Sequence, residues 1–228
     1  MVPVCFPLLM LCAGPLSALA EGSPDSATEA VRIAEKVQSF YDEVQDLEAQ
    51  FVQTFFRKSI SRTTEDRGTL YVKKPGRFRW HYQKPYPRDV YVKDNTAWIH
   101  EPEEQQAYRQ AIDPNAYAEE LSFLTGEGEI AKSFVIASVD PRKHELEPGL
   151  VGLELRPRKP VRYTRLVLGV EPETGRVKTT ILFLADGATP GIAGGSINRY
   201  DFRDIHINRG LKDGLFTFSP PKGTDILN

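Results

Sequence analysis

The sequence predicts a mainly β protein, with one amphipathic helix near the N-terminus and a large antiparallel sheet that a short helical segment interrupts. Three observations lead to this expectation. Apolar residues recur at helical spacing from Ala30 to Leu47, β-branched and aromatic residues then recur in short runs, and turn residues separate most of these runs. Because a sheet must cover its apolar face, we expect the helices to pack against that face.

The first 20 residues have the composition of an export signal. They contain no charged side chain, and Ala18-Leu19-Ala20 has the small-x-small form that signal peptidase accepts. We therefore expect cleavage after Ala20. Cys12 raises the alternative of a lipidated N-terminus, but Leu11 stands where lipidation requires a small residue, so an exported chain without a lipid anchor is favoured.

The composition excludes several chemistries. Both Cys and both Met lie within the first twelve residues, so the exported chain would have no disulfide, no thiolate metal site and no Cys nucleophile. With 29 Lys and Arg against 31 Asp and Glu, the net charge is −2. This balance gives no overall attraction to nucleic acid or anionic membranes. Residues 21–228 are expected to form a single domain.

The helix has its own start signal. Ser26 and Glu29 form an S-x-x-E capping box ahead of the apolar stripe, which continues for about 20 residues.

Beyond Leu47 the runs predict β-strands. Pro75-Gly76, Asp94-Asn95 and Glu173-Thr174-Gly175 are turn sequences between them, which makes consecutive strands antiparallel neighbours. The predicted strands are 49–57, 68–74, 78–83, 89–93, 96–100, 150–156, 164–170, 176–185, 197–207 and 214–218.

Two segments interrupt the strands. From Pro114 to Val135 the apolar spacing is helical, with a break at Gly126-Glu127-Gly128, which predicts two short helices or one broken helix. The small residues from Ala188 to Gly195 predict a surface loop.

No enzyme or cofactor motif stands out. The four histidines are single and far apart in sequence, no G-x-S-x-G nucleophile elbow occurs, and the G-x-G-x-x-A match at Gly126 follows a helical segment where a dinucleotide site needs a strand. We expect no metal, no cofactor and no catalysis, and an exported hydrolase is disfavoured.

The segment from Lys73 to Arg88 combines six cations with four aromatic rings and no acid. Such a mixture can bind single-stranded nucleic acid, but strand alternation places Phe78, Trp80 and Tyr82 on one face and the charges on the other. The aromatic face points to an apolar interior. The neighbouring strands are also rich in large apolar residues, so the interior is either a filled core or a partly open cavity, and the composition leaves both possible.

Three separated motifs resemble the periplasmic outer-membrane lipoprotein carrier family, LolA. They are Phe51-Val52-Gln53 after the first helix, the stretch from Gly68 to Trp80 with the hairpin up to Trp98, and Phe216 to Asp225, which reads F-T-F-S-P-P-K-G-T-D. Their order along the chain makes the resemblance specific.

The resemblance implies an incomplete, half-open antiparallel β-barrel, closed by a helical lid over a hydrophobic cavity for the acyl chains of lipoproteins. It places Lys74 as a lid contact, where the family often has Arg, and Leu121, Phe123 and Leu124 in the lid. Lys lacks the bidentate geometry of Arg, which leaves lid locking by this residue open. The expected acyl-chain cavity consists of Phe51, Phe55, Leu70, Val72, Phe78, Trp80, Tyr82, Val90, Val92 and Trp98.

The implied function is that of a monomeric, non-enzymatic periplasmic carrier of lipidated proteins. Its implied partners are an ATP-driven lipoprotein-releasing complex in the inner membrane and a lipoprotein acceptor in the outer membrane. Two alternatives keep the fold: a sensor that regulates a membrane-bound factor, and a carrier of a free glycolipid or similar lipid.

Overall fold

The computed structural model describes residues 24–111, 128–185 and 195–227. Helix α1 spans Pro24–Glu43, and a second helix of four residues, α2, spans Ile130–Ser133. Three 3-10 turns lie at Lys58–Ile60, Pro141–His144 and Asp213–Phe216. The strands are β1 Asp46–Arg57, β2 Arg62–Lys73, β3 Arg77–Lys84, β4 Arg88–Lys93, β5 Thr96–Glu101, β6 Gln106–Ala111, β7 Phe134–Val139, β8 Val151–Pro157, β9 Tyr163–Val170, β10 Val177–Leu184, β11 Ile197–Ile207 and β12 Asp225–Leu227.

All twelve strands belong to one sheet, in the order β12-β6-β5-β4-β3-β2-β1-β11-β10-β9-β8-β7. Two antiparallel meanders meet where β11 pairs with β1, and β12 adds to β6 in parallel. Among the described strands, the two ends of this sheet, β12 and β7, do not pair with each other. The mainly β fold with an N-terminal helix and an open antiparallel barrel is thereby confirmed.

Helix α1 has the predicted length but begins two residues before Ser26, so the predicted capping box is wrong. Ser26 lies inside the first turn, and the Glu29 carboxylate accepts hydrogen bonds from Arg32 at 2.6 and 2.8 Å. The apolar stripe packs on one face of the sheet, which we call the inner face. Its buried members there are Ala30, Ile33, Ala34, Val37, Tyr41 and Val44.

The C-terminus of α1 is closed by a side chain from another element. Its last turn contains no basic residue, but Lys74 Nζ donates hydrogen bonds to the carbonyl oxygens of Tyr41 (2.6 Å) and Asp42 (3.0 Å). A cation at this position interacts favourably with the negative end of the helix dipole and with carbonyls that have no partner within the helix. Lys74 therefore fixes the helix to the turn between β2 and β3.

The strand predictions differ from the structure at five main places, one of which is β2: it begins at Arg62, six residues before the predicted strand 68–74. Residues 214–218 contain a 3-10 turn in place of the predicted strand, and β6, β7 and β12 had no predicted counterpart. Phe134 and Val135 belong to β7, although their spacing from Ile130 is helical. The β6 sequence is polar because half of it faces solvent, and β12 has only three residues, so neither has the apolar run that predicts a strand.

The segment after β11 returns across the outer face of the sheet. The buried Asp46 carboxylate holds its start, because it accepts hydrogen bonds from the backbone nitrogens of Arg209, Gly210 and Leu211 at 2.7, 2.9 and 3.1 Å. Charge-assisted bonds of this kind are stronger than neutral ones. This anchor directs the chain toward Phe216 and Phe218.

A second apolar cluster, on the outer face of β9 and β10, has an ion-pair group beside it. The Glu154 carboxylate receives Arg165 Nη1 and Arg156 Nε, each at 2.7 Å, and its side chain is only 8% exposed. Burial acts to raise the pKa of Glu154, but the hydrogen bonds and charges of Arg165 and Arg156 outweigh it, so the net pKa lies below its ordinary value.

This lowered pKa predicts a pH-dependent stability difference. A carboxylate with a depressed folded-state pKa stabilises the fold above its unfolded pKa, about 4.3, and loses this contribution as the pH falls through the folded value. We expect Glu154→Gln to be less stable than the parent at pH 7, with the difference narrowing below about pH 4.3. Urea unfolding at pH 7, 4 and 3 measures it, with the exposed Glu104→Gln as the control. A difference that stays constant over this range would contradict the assignment.

Candidate functional site

The register of the first meander brings most of the predicted cavity residues onto one surface. Leu70 is opposite Trp80, Trp80 is opposite Val90, and Val90 is opposite Ile99 across successive strand pairs. Partners directly opposite each other in a ladder point to the same face. These side chains therefore share the inner face with α1.

An aromatic cluster lies at the centre of this surface. The ring of Phe51 is 5.0 Å from those of Trp80 and Tyr82, each in an edge-to-face arrangement, and Trp80 is also 5.0 Å from Tyr200. Edge-to-face and tilted pairs at this separation are favourable geometries for aromatic rings. The cluster joins side chains of β3, β1 and β11 over the intervening β2, so it forms a continuous apolar wall across four neighbouring strands.

Burial divides the predicted cavity residues into two groups. Five of them are buried in the core: Phe51, Leu70, Val72, Phe78 and Tyr82. Four others on the same face are half-buried: Phe55, Trp80, Val90 and Val92. Leu70 of the buried group lies beside Tyr41 of α1, and Trp80, Val90 and Val92 lie on β3 and β4, toward β5. The inner face thus changes from filled core to partly open surface across β3 and β4.

Trp98 does not belong to this surface. The two-residue turn at Asp94 and Asn95, both with positive φ, pairs Val92 with Ala97 and Tyr91 with Trp98. Trp98 therefore lies on the outer face, where its ring is 5.2 Å from Phe218. The structure separates it from Trp80, and Ile99 takes the inner position beside Val90.

The outer face has a cleft of its own around Trp98. Its volume is about 560 Å³, and its walls come from β4, β5 and β6 on one side and from the C-terminal segment on the other. The lining residues are Tyr91, Lys93, Asp94, Thr96, Trp98, Arg109, Phe216, Thr217 and Phe218. This cleft is mixed in polarity, in contrast to the aromatic inner surface.

Polar groups border the aromatic cluster toward the end of the sheet where β1 finishes. Gln53 Nε2 donates to Asn198 Oδ1 at 2.8 Å, and the buried Gln53 Oε1 has no hydrogen-bond partner among the described residues. The Arg88 guanidinium is 3.8 Å from the centre of the Tyr82 ring. Burial raises the pKa of Tyr82, and the Arg88 charge opposes this only in part, so its hydroxyl stays neutral at physiological pH.

The predicted lid cannot be placed in the fold, because Leu121, Phe123 and Leu124 lie outside the described residues. Lys74, the expected lid contact, has its ammonium group on the end of α1, as described above. The two ends of the predicted insert that are described are β6 and α2. The backbone nitrogen of Ile130 at the start of α2 donates to Gln38 Oε1 of α1 at 3.0 Å.

Three inner-face residues were not anticipated from the sequence: Ile99, Tyr200 and Phe202. Tyr200 and Phe202 are opposite Gln53 and Phe51 in the β1–β11 pair, and their rings stack with centroids 6.2 Å apart. Their alternation within the predicted strand 197–207 is a usable signal. It becomes decisive only once β11 is known to pair with β1, which sequence order does not reveal.

The inner face offers mainly apolar contacts to a ligand. Across residues 24–111, 128–185 and 195–227, no group of three or more His, Asp or Glu side chains could hold a metal ion. No helix within these ranges is long and apolar enough to cross a membrane. A half-buried wall of aromatic and branched aliphatic side chains can take up apolar groups of a ligand.

Comparisons with known proteins agree with this geometry. Residues 42–219 match the family model described as outer membrane lipoprotein carrier protein LolA. The outer-membrane lipoprotein carrier protein of Nitrosospira multiformis is 28% identical over 208 residues, which cover 89% of this chain and 91% of that protein. The corresponding protein of Methylococcus capsulatus is 27% identical over 220 residues, which cover 96% and 94%.

One solved structure, an uncharacterized conserved protein from Thermus thermophilus, aligns over 87% of this chain and 98% of its own with a TM-score of 0.51. At 11% identity this similarity concerns the fold alone. The family match indicates more than a shared fold, because it covers most of the chain and includes the strands that form the aromatic wall. The chain belongs to the outer membrane lipoprotein carrier family, LolA.

Proposed function

We propose that this chain is a periplasmic carrier that shields the acyl chains of lipidated proteins while they cross from the inner to the outer membrane. The observation that carries the proposal is the aromatic wall of the inner face, which is half-buried at Trp80, Val90 and Val92 in a chain of the lipoprotein carrier family. On this proposal, residues 1–20 are a cleaved export signal and residues 21–228 are the carrier.

The energetics explain why a carrier is needed. An acyl chain of about fourteen methylenes gains roughly 11 kcal/mol on burial, at about 0.8 kcal/mol for each methylene. A lipoprotein will not leave a membrane for water without a surface that replaces most of this burial. The inner face supplies such a surface, and the segment around Leu121, Phe123 and Leu124 is our proposed cover for it.

The wall has a composition suited to reversible binding. It consists of rings and branched aliphatic side chains, without the flexible Met that often fills lipid sites, because both Met residues lie in the first ten positions. These side chains also resist the oxidation that affects Met. We propose that the empty site stays partly open for this reason, since rings held by their neighbours cannot collapse to fill it.

Loading and delivery need partners, because the sequence has no phosphate-binding loop. We propose that an ATP-driven releasing complex in the inner membrane supplies the energy and that an outer-membrane acceptor receives the cargo. The carrier itself acts as a monomer without catalysis.

Co-elution with a lipoprotein tests the proposal. A triacylated lipoprotein is expected to co-elute with the protein on size exclusion. The same lipoprotein is expected not to co-elute when the Cys that carries its acyl chains is replaced by Ser. If neither the acylated nor the non-acylated lipoprotein co-elutes, or if both co-elute equally, acyl-chain recognition is contradicted.

Native mass spectrometry identifies the natural cargo. Protein purified from its own periplasm is expected to show the mass of a complex between the carrier and a lipidated protein. A free glycolipid in its place would overturn the lipoprotein assignment while leaving the inner face as the lipid site, and recovery with a transmembrane regulator would favour a sensor.

A further inference from the structure

One end of the open barrel combines positive charge with exposed apolar tips. In an antiparallel meander every second connection lies at the same end of the sheet, so the connections β1–β2, β3–β4 and β8–β9 lie at one end, with β11 and β10 between the first two and the third. With the strand residues beside them, these connections are residues 57–62, 84–88 and 158–162, which we call the basic rim. They contain eight Lys or Arg and no Asp or Glu.

Most of these cations are exposed to solvent. Arg88 is the exception, because it is half-buried and lies 3.6 Å from Asp66. The other seven are exposed: Arg57, Lys58, Arg62, Lys84, Arg158, Lys159 and Arg162. The nearest acids are Asp66, which faces Arg88, and Glu65 beside it in β2, while Glu101, Glu103 and Glu104 belong to the β5–β6 connection at the same end of the sheet.

The opposite end of the barrel has no such bias. Its described connections are residues 43–46, 73–77, 93–96, 139–150, 170–177 and 207–213, and together they contain nine cations and nine acids. At the rim end, the described connections with β5–β6 included contain eight cations and three acids, so the overall charge of −2 hides an asymmetry between the two ends. Local charge of one sign, and not net charge, determines attraction to a charged surface at short range.

Two of the rim connections also expose large apolar side chains. Ile60 is 58% exposed in the β1–β2 connection, and Tyr86 is 70% exposed between Pro85 and Pro87. The two connections are two strand spacings apart, about 10 Å. Burying Ile60 or Tyr86 within the fold would remove apolar surface from water, yet both remain at the tips of their loops.

We infer that the basic rim is a docking surface for an anionic lipid bilayer, with Ile60 and Tyr86 entering the interfacial layer. Clustered Lys and Arg beside exposed apolar residues are the features by which peripheral proteins bind anionic lipids, and Tyr favours the membrane–water interface. Ile60 and Tyr86 are exposed singly in separate connections, which suits a fluid bilayer better than the shaped pocket of a protein partner. The aromatic cluster and its bordering polar groups lie toward this same end of β1.

Vesicle co-sedimentation tests the inference on cargo-free protein processed in the periplasm, so its outcome is separate from that of the proposed cargo. We expect binding to phosphatidylglycerol-containing vesicles at low salt, little binding to pure phosphatidylcholine, and release by added salt. The variant Lys58→Gln with Lys84→Gln should lower the partition coefficient about 25-fold, about fivefold for each cation removed.

Matched controls separate the rim from general charge effects. Arg142→Gln with Lys143→Gln makes the same change of charge at exposed positions of the opposite end and should leave binding unchanged. Tyr86→Ser and Ile60→Gln should each weaken binding several-fold even where salt screens the charges, whereas Val31→Gln on α1 should not. The inference would be overturned if the protein bound both kinds of vesicle equally, or if the control pair lost as much binding as the rim pair. It would also be overturned if the rim variants still bound vesicles and lost only their binding to an acidic protein.

Discussion

Replacing Trp80 by Glu is expected to weaken acyl-chain binding strongly while the protein remains folded. Trp80 is half-buried at the centre of the aromatic wall, 5.0 Å from both Phe51 and Tyr200. A carboxylate there would have to lose its water when an acyl chain covers it, and no cation lies opposite it in the Leu70–Trp80–Val90 row. We expect the Kd for a triacylated lipoprotein to rise on the order of a hundredfold.

Trp98→Glu is the matched control, because it makes the same change on the outer face of the neighbouring hairpin. It should leave the Kd within about threefold of the parent value, since it is not part of the wall. Thermal unfolding of both variants establishes that each is folded, and Val90→Glu tests the same surface independently should Trp80→Glu unfold. Undiminished binding by the folded Trp80 and Val90 variants would refute the assignment of the site.

Replacing Gly68 by Ala is expected to destabilise the fold more than its size suggests. A Cβ atom at this position would overlap the backbone oxygen of His81 and lie 2.9 Å from the Phe51 ring. Neither contact can be relieved by a flexible side chain, so β2 and β3 must separate or the Phe51 ring must move. We expect a loss of about 3 kcal/mol in the free energy of unfolding, at the upper end of overpacking effects.

Urea unfolding measures the loss, and Gly214→Ala provides the control, because a Cβ atom there meets nothing within 4 Å. The near-ultraviolet circular dichroism of the aromatic cluster should also change in the Gly68 variant. A Gly68→Ala protein as stable as Gly214→Ala would show that the close approach of β2 and β3 does not require glycine.

Within one hairpin, the sequence predicts well which face of the sheet each side chain takes. Alternation alone places Phe78, Trp80 and Tyr82 on a common face, and the structure confirms it through their pairing with Val92, Val90 and Arg88. The position of Trp98 was also available from the sequence. A two-residue turn at Asp94-Asn95 pairs Lys93 with Thr96, and counting onward from that pair puts Trp98 opposite Tyr91.

Other parts of the site depend on long-range pairing that local sequence does not encode. Tyr200 joins the wall because β11 closes onto β1, which is about 145 residues away in sequence, as the Gln53–Asn198 hydrogen bond illustrates. The extent of burial on the inner face depends equally on α1. Its stripe packs against β7 and β8 and buries that side of the inner face.

Quenching of tryptophan fluorescence by brominated acyl chains tests the central claim most directly. The protein has only two tryptophans, and they lie on opposite faces of the sheet. Trp98→Phe leaves Trp80 as the sole emitter, and Trp80→Phe leaves Trp98. When each protein binds a lipopeptide with brominated acyl chains, the fluorescence of Trp80 should be strongly quenched and that of Trp98 should be nearly unchanged. Equal quenching of both, or quenching of Trp98 alone, would contradict an acyl-chain site on the inner face.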